Sequence, residues 1–326
     1  MQFKITSVIR LEAEGIMTIN ISGAPCCWGV DDPKNPYLPD WKDVLKEAHL
    51  AGFTGIETGP YGYLSLDTSV LKEELEKNEL TIVAGTIFDD LVSEANLPNL
   101  LQQVDDICSL ITQMPQEQAQ DNQKFKTPYL VVIDWGHDER DYAAGHPEQA
   151  QRLSDEAWDN MISHITQIAN KAAQEYGVRA VVHPHAGGYI EFSDEILKLT
   201  EDIPYEVAGL CLDTGHLLYS KMDPLEWLEK LYHRVDYIHF KDIDMDVYQQ
   251  VMNKKIRFFD ACAENVMCPI GEGVIDYKEI YELLAVKLKY EGFITIEQER
   301  DPRNAGSSLT DVKKSVAFLE GLGFNK

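Results

Sequence analysis

The sequence is short of positive charge, with 29 Lys and Arg against 55 Asp and Glu, a formal net charge of −26. Such a balance opposes a sequence-independent grip on a phosphate backbone or an anionic membrane. Nucleic acid and membrane are therefore excluded as expected partners. A neutral polar substrate, or a cation held by carboxylates, fits the charge better. No apolar run approaches the ~20 residues that span a bilayer. No CxxC pair, Gly/Ser linker or low-complexity block occurs. Walker, G-x-S-x-G and H-E-x-x-H signatures are missing, and the G-x-G at Gly271 and Gly273 lacks the strand–glycine–helix context of a dinucleotide site. The six cysteines are scattered (Cys26, Cys27, Cys108, Cys211, Cys262 and Cys268), which suits a reduced, cytoplasmic protein. Acids at Glu12 and Glu14 interrupt any signal-peptide pattern.

What is present is a large core. Hydrophobic residues make up 44% of the 326, too many for wholesale disorder. From residue 18 onward, β-rich runs alternate with helical stretches: 18–23, 54–59, 81–88, 129–136, 179–185, 207–215, 235–243 and 292–299 read as strands. The intervening helices are expected near 41–52, 69–80, 97–113, 148–176, 193–202, 223–235 and 309–323. Ser193, Asp223 and Asp276 are the expected caps, with Pro224 at a first helical position. Near-continuous apolar strands indicate a parallel sheet covered on both faces. Eight such units predict an α/β fold, a single-domain (β/α)₈ TIM barrel over 1–326, with an open doubly wound sheet as runner-up. Residues 1–15 form an appendage or extra strand, and 114–127 a polar loop.

In such a barrel the C-terminal strand ends form the active face. Those ends carry Glu57, Asp134, His183, His185, Asp213, His216, His239, Lys241, Asp242, Glu297 and Glu299, whereas the opposite ends read as almost bare. His183, Asp213, His239 and Glu297 end four successive strands and together offer the imidazoles and carboxylates that a divalent metal requires. His185, His216, Lys241 and Glu299 then stand further out, toward substrate. Singly, each has a plainer reading: "DTGH" as a turn, "HFKD" as a salt-bridge cluster, Glu297 to Asp301 as a solvated loop. Equivalence of position across successive units favours the site. Trp28 and Trp135 read as sugar-stacking platforms or as core, and Tyr61 and Tyr63 as exposed aromatics that hint at a homo-oligomer interface.

"CLDTGH", "HFKD", "PIGEGVIDY" and "YEGFITIEQERD", in that order, resemble the xylose isomerase-like barrel superfamily. "APCCWG", "LAGFTGIETGPYGYL", "VVHPHAGGYIE" and "CLDTGHLLYSKMDP" resemble its inosose dehydratase (2-keto-myo-inositol dehydratase) family, over roughly residues 18 to 320. The resemblance implies inositol catabolism and a divalent metal, manganese or cobalt first, with zinc, iron or magnesium as alternatives. Its ligands fall on Asp213, His239 and Glu297. Many members supply a glutamate from strand five where this chain has His183, and that departure weakens an epimerase reading. The expected reaction is dehydration of a ketocyclitol or keto-sugar through an enediolate. Glu297 or His185 is the base, and His216, Lys241 or Glu191 protonates the leaving hydroxyl. Trp28, Glu57, Asp134, Glu191 and Glu299 are assigned to substrate. A ketose isomerase or epimerase on the same metal, and a non-catalytic sugar-binding subunit, are the alternatives.

Overall fold

Each long apolar run of the sequence becomes a short strand buried on both faces. The computed structural model describes residues 19–120 and 122–325, so residues 1–15 and the expectation for them lie outside it. The barrel strands are β1 (Ile19–Gly23), β2 (Gly55–Glu57), β3 (Thr81–Asp89), β4 (Tyr129–Asp134), β5 (Arg179–Val182), β6 (Gly209–Asp213), β7 (Val235–Phe240) and β10 (Gly292–Ile296). They pair in parallel and close in that order, with β10 against β1. A separate antiparallel ribbon joins β8 (Asp242–Ile243) to β9 (Met267–Cys268). The fold is the expected single TIM barrel.

Around the strands lie α1 (Trp41–Ala51), α2 (Thr68–Lys77), α3 (Leu97–Ile111), α5 (Asp155–Tyr176), α6 (Ser193–Asp202), α8 (Pro224–Leu231), α11 (Tyr277–Tyr281) and α12 (Ser308–Leu322). Four short helices decorate the C-terminal face: α4 (Asp138–Asp141), α7 (Thr214–Tyr219), α9 (Met245–Lys254) and α10 (Phe258–Ala263). Asp223 caps α8 by accepting from Glu226 N, with Pro224 first in the helix, and Asp276 caps α11. Ser193 is not a cap. It is the first residue of α6, and the Glu195 carboxylate accepts from the N–H groups of Glu191 and Phe192 instead. None of the described helices is long and apolar enough to cross a membrane.

Side-chain alternation divides the apolar residues into two layers. One set, including Leu45, Ile56, Leu130 and Ile294, packs between barrel and helices. The other, including Val131, Val181, Cys211, Tyr237 and Phe293, fills the barrel. Two steps further along β5, β6 and β7, the same inward row reaches His183, Asp213 and His239. Continuing from Phe293 through Thr295, the β10 row reaches Glu297. The alternation that builds the core thus delivers polar groups to the barrel mouth.

The opposite end is not bare, contrary to the sequence reading. Arg179 opens β5 and pairs with Asp236 of β7 at 2.8 Å, while the Arg179 guanidinium lies over the rings of Phe125 and Tyr205. A buried pair of this kind closes the barrel floor and needs both partners.

Candidate metal centre and active-site cavity

Asp213 and His239 are directly paired in the β6–β7 register, so their inward side chains are neighbours. His183 and Glu297 follow the last residues of β5 and β10, yet each continues the ladder through its N–H, to Val132 O and Phe240 O. The four side chains each place one donor atom within 4.8 Å of the others. His183 Nε2 is 3.7 Å from Asp213 Oδ2, and His239 Nδ1 is 3.9 Å from Asp213 Oδ2 and 3.0 Å from Glu297 Oε2. Asp213 Oδ1 accepts from His216 N. Asp213 Oδ2 and His239 Nδ1 are buried without hydrogen-bond partners, and both face the shared centre.

These residues fit a divalent cation. His239 Nε2 donates to Glu57 Oε1 at 2.8 Å, which leaves Nδ1 as a lone pair toward the centre. Burial alone would raise the Asp213 carboxyl, but the Lys241 ammonium and neighbouring imidazoles hold it well below the usual carboxylate range. Glu297 is held down in the same way, by His239 and Lys241 against burial. Lys241 is fully buried, with Nζ 3.0 Å from Asp213 Oδ2 and 2.7 Å from both Glu297 Oε2 and Glu299 Oε1. Three carboxylates against one ammonium leave negative charge in a low-dielectric site, which a divalent cation would balance.

Above this centre opens a cavity of about 610 Å³, counting the space open to solvent. Its polar wall is Asp31, Glu57, His183, His185, Glu297 and Glu299, and its apolar wall includes Cys26, Phe88 and Phe259. Among the described residues no Lys or Arg lines it. His185 is pushed well below the usual imidazole range by burial and by the positive potential of His216, His183 and Lys241, so it stands neutral. Its ring centroid is 4.0 Å from that of His216 and 5.4 Å from that of Trp135, which stacks on Phe88. Trp135 therefore belongs to the aromatic cluster at the mouth.

Three residues assigned to substrate lie elsewhere. Trp28 is 1% exposed in the core, its indole N–H donating to Glu47. Asp134 is consumed by loop contacts, accepting from Leu91 N, Tyr189 N and the His137 ring. Glu191 faces away from the cavity and accepts from Gly145 N, Gly187 N and Ser220 Oγ. Glu57 does reach the wall, although its bonds go to His239 and Tyr237. Lys241 and His216 lie behind the wall. Tyr63 is not a free surface aromatic, since it packs on the core and donates to Pro39 O. Asp242 is a structural cradle for the "PIGEGVID" loop, accepting from the N–H groups of Gly271, Gly273 and Ile275. A side chain at Gly273 would strike Asp242 Oδ1 at 2.2 Å.

The sequence reading missed Asp31 and Phe259 as cavity residues and left Cys26 as core. Asp31 is pushed well up by burial and by repulsion from Glu299 and Glu297. It follows the "APCCWG" phrase closely, and that proximity was the one available signal.

The chain matches the family described as xylose isomerase-like TIM barrel over residues 45–322. It is 27% identical over 297 residues to an inosose dehydratase of Clostridium tetani, covering 88% of this chain and 92% of that one. Among solved structures it resembles the probable 3-DHS dehydratase AsbF of Bacillus anthracis, with TM-score 0.67, 17% identity, and 93% and 99% of the two chains covered. It also resembles the IOLI protein solved with a bound zinc atom, at TM-score 0.68, 13% identity, and 94% and 100% coverage.

Proposed function

The chain belongs to the xylose isomerase-like TIM barrel family, and on that premise we propose that it is a divalent-metal-dependent lyase dehydrating a ketocyclitol or keto-sugar of the inosose type. The convergence of His183, Asp213, His239 and Glu297, with Asp213 Oδ2 and His239 Nδ1 left open toward one centre, carries the proposal. The name shared by curated relatives, inosose dehydratase, supports the substrate class.

When bound, the cation supplies Lewis acidity and a docking point for the carbonyl and adjacent hydroxyl oxygens. The protein's own groups do the rest. Glu297 is occupied by His239 and Lys241, so neutral His185 on the cavity wall is the base for the proton α to the carbonyl. Glu191 cannot protonate the leaving hydroxyl from behind the wall. Glu299 can: burial raises its carboxyl against the pull of Lys241, whose Nζ at 2.7 Å can return a proton to it. Phe88 and Phe259 keep water from the apolar side.

The carboxylate-lined wall disfavours substrates bearing a carboxylate or phosphate, because no cation faces them. That separates the proposal from a dehydroshikimate dehydratase on the same fold. The test is metal-loaded enzyme with inosose and with 3-dehydroshikimate, read by mass spectrometry. Loss of one water from inosose alone, abolished together with bound metal in Asp213→Asn, is expected. A product of unchanged mass would replace dehydration with isomerisation, and full activity in metal-free Asp213→Asn would end the metal reading.

A further inference from the structure

His185, His216 and Glu299 form a second group of potential ligand atoms lying within 4.8 Å of one another. By composition they invite a second cation. The hydrogen bonds argue otherwise. His185 Nδ1 lies 2.9 Å from Ala186 O, and Ala186 N lies 3.1 Å from His216 Nδ1. A carbonyl oxygen only accepts and an amide N–H only donates. His185 therefore carries its proton on Nδ1 and offers a lone pair at Nε2. His216 has its lone pair on Nδ1 and presents an N–H at Nε2.

One peptide unit thus imposes opposite tautomers on two adjacent rings, and that peptide is itself rigid. Its residue is fully buried, Gly187 N donates to Glu191 Oε2, and Gly188 N and His185 N close a tight turn onto His185 O and Ile190 O. Phe258 stacks on the His216 ring at 4.9 Å and meets the His185 ring edge-on. An imidazole N–H does not ligate a cation. His216 Nε2 and Glu299 Oε2 are both buried without partners, and His216 Nε2 is 3.9 Å from Glu299 Oε1. A donor and an acceptor at that separation suit an oxygen that carries both a hydrogen and lone pairs.

We propose that His216 Nε2–H and Glu299 form a hydroxyl subsite, kept from binding a second metal by the tautomer that the Ala186 peptide imposes. The subsite holds a hydroxyl of the cyclitol beside the metal centre, while His185 Nε2 remains free as an acceptor. In its choice of ligand the inference rests on the proposed function. Its tautomers and metal count do not.

The experiment is a long-range ¹H–¹⁵N correlation on full-length protein labelled at histidine nitrogen and loaded with zinc, with metal content measured in parallel. His185→Gln and His216→Gln each assign one ring by the loss of its signals. Expected are a pyrrole-type Nδ1 for His185, a pyrrole-type Nε2 for His216, and one zinc per chain in the wild type and both variants. Adding myo-inositol, a cyclitol without the carbonyl, should shift the His216 Nε2–H resonance. A His216 proton on Nδ1, an averaged ring, or a second zinc lost in His216→Gln would overturn the proposal. A His216 resonance that stays put while myo-inositol binds would assign the oxygen to water and overturn the substrate subsite. Opposite tautomers in a protein that binds no zinc and does not turn over inosose would support the lock and count against the proposed function.

Discussion

The Nε2–H of His239 is spent on Glu57, 2.8 Å away, and this leaves Nδ1 as a lone pair beside Asp213 and Glu297. Glu57 also accepts from the Tyr237 hydroxyl at 2.8 Å, so its own orientation is fixed. Partners of this kind set ligand tautomer and basicity, and losing one costs ~10–100-fold in metal affinity. Glu57→Ala should weaken zinc or manganese binding by about that factor in a chelator competition. Glu57→Gln keeps an acceptor oxygen and should lose less; equal losses would mean that the carboxylate acts by charge. The four proposed ligands were visible in the sequence because they occupy equivalent positions on neighbouring strands, where period-two alternation is reliable. Asp31 and Phe259 were not visible, since loop and short-helix residues reach the cavity only through tertiary packing.

The turn after β5 shows what one element must satisfy at once. Gly187 sits at φ +94°, a backbone conformation that favours glycine, and a Cβ on Gly188 would meet Asp134 O at 2.2 Å. The "HPHAGG" phrase thus needs its glycines to bring His185 back over His183. Glu191 pins this turn to the Gly145 loop and to Ser220 after α7. Burial pushes its carboxyl up to about 7, against Arg140 and the donated N–H bonds. A carboxyl raised on folding is stabilised in its protonated form, so this contribution is full below the ordinary carboxylate range and is lost as pH climbs toward 7. The loss amounts to roughly 3 kcal/mol at most. In Glu191→Gln the corresponding fall in melting temperature with rising pH should vanish; an unchanged slope would place the titration elsewhere. Strand identities were legible here from apolar runs. The end of β6 was not, because Asp213 stops the strand by capping α7 through His216 N.

At the scale of the whole molecule, two sources of negative charge must be kept apart. The net −26 is largely solvated, and its self-repulsion is screened by salt. The charge around Lys241 is buried, and salt cannot reach it. A cation that binds only the folded chain adds about 2.7 kcal/mol when present at a hundredfold excess over its Kd. For a chain of this size that corresponds to a rise of about 5 °C in melting temperature. Chelation of the purified protein should remove the increment and re-addition of metal should restore it, with Asp213→Asn indifferent to both. Added sodium chloride should raise the melting temperature of wild type and variant alike, without substituting for the metal. If salt did substitute, the carboxylates around Lys241 would be behaving as surface charge, and the fit to a divalent ion would rest on the wrong electrostatics.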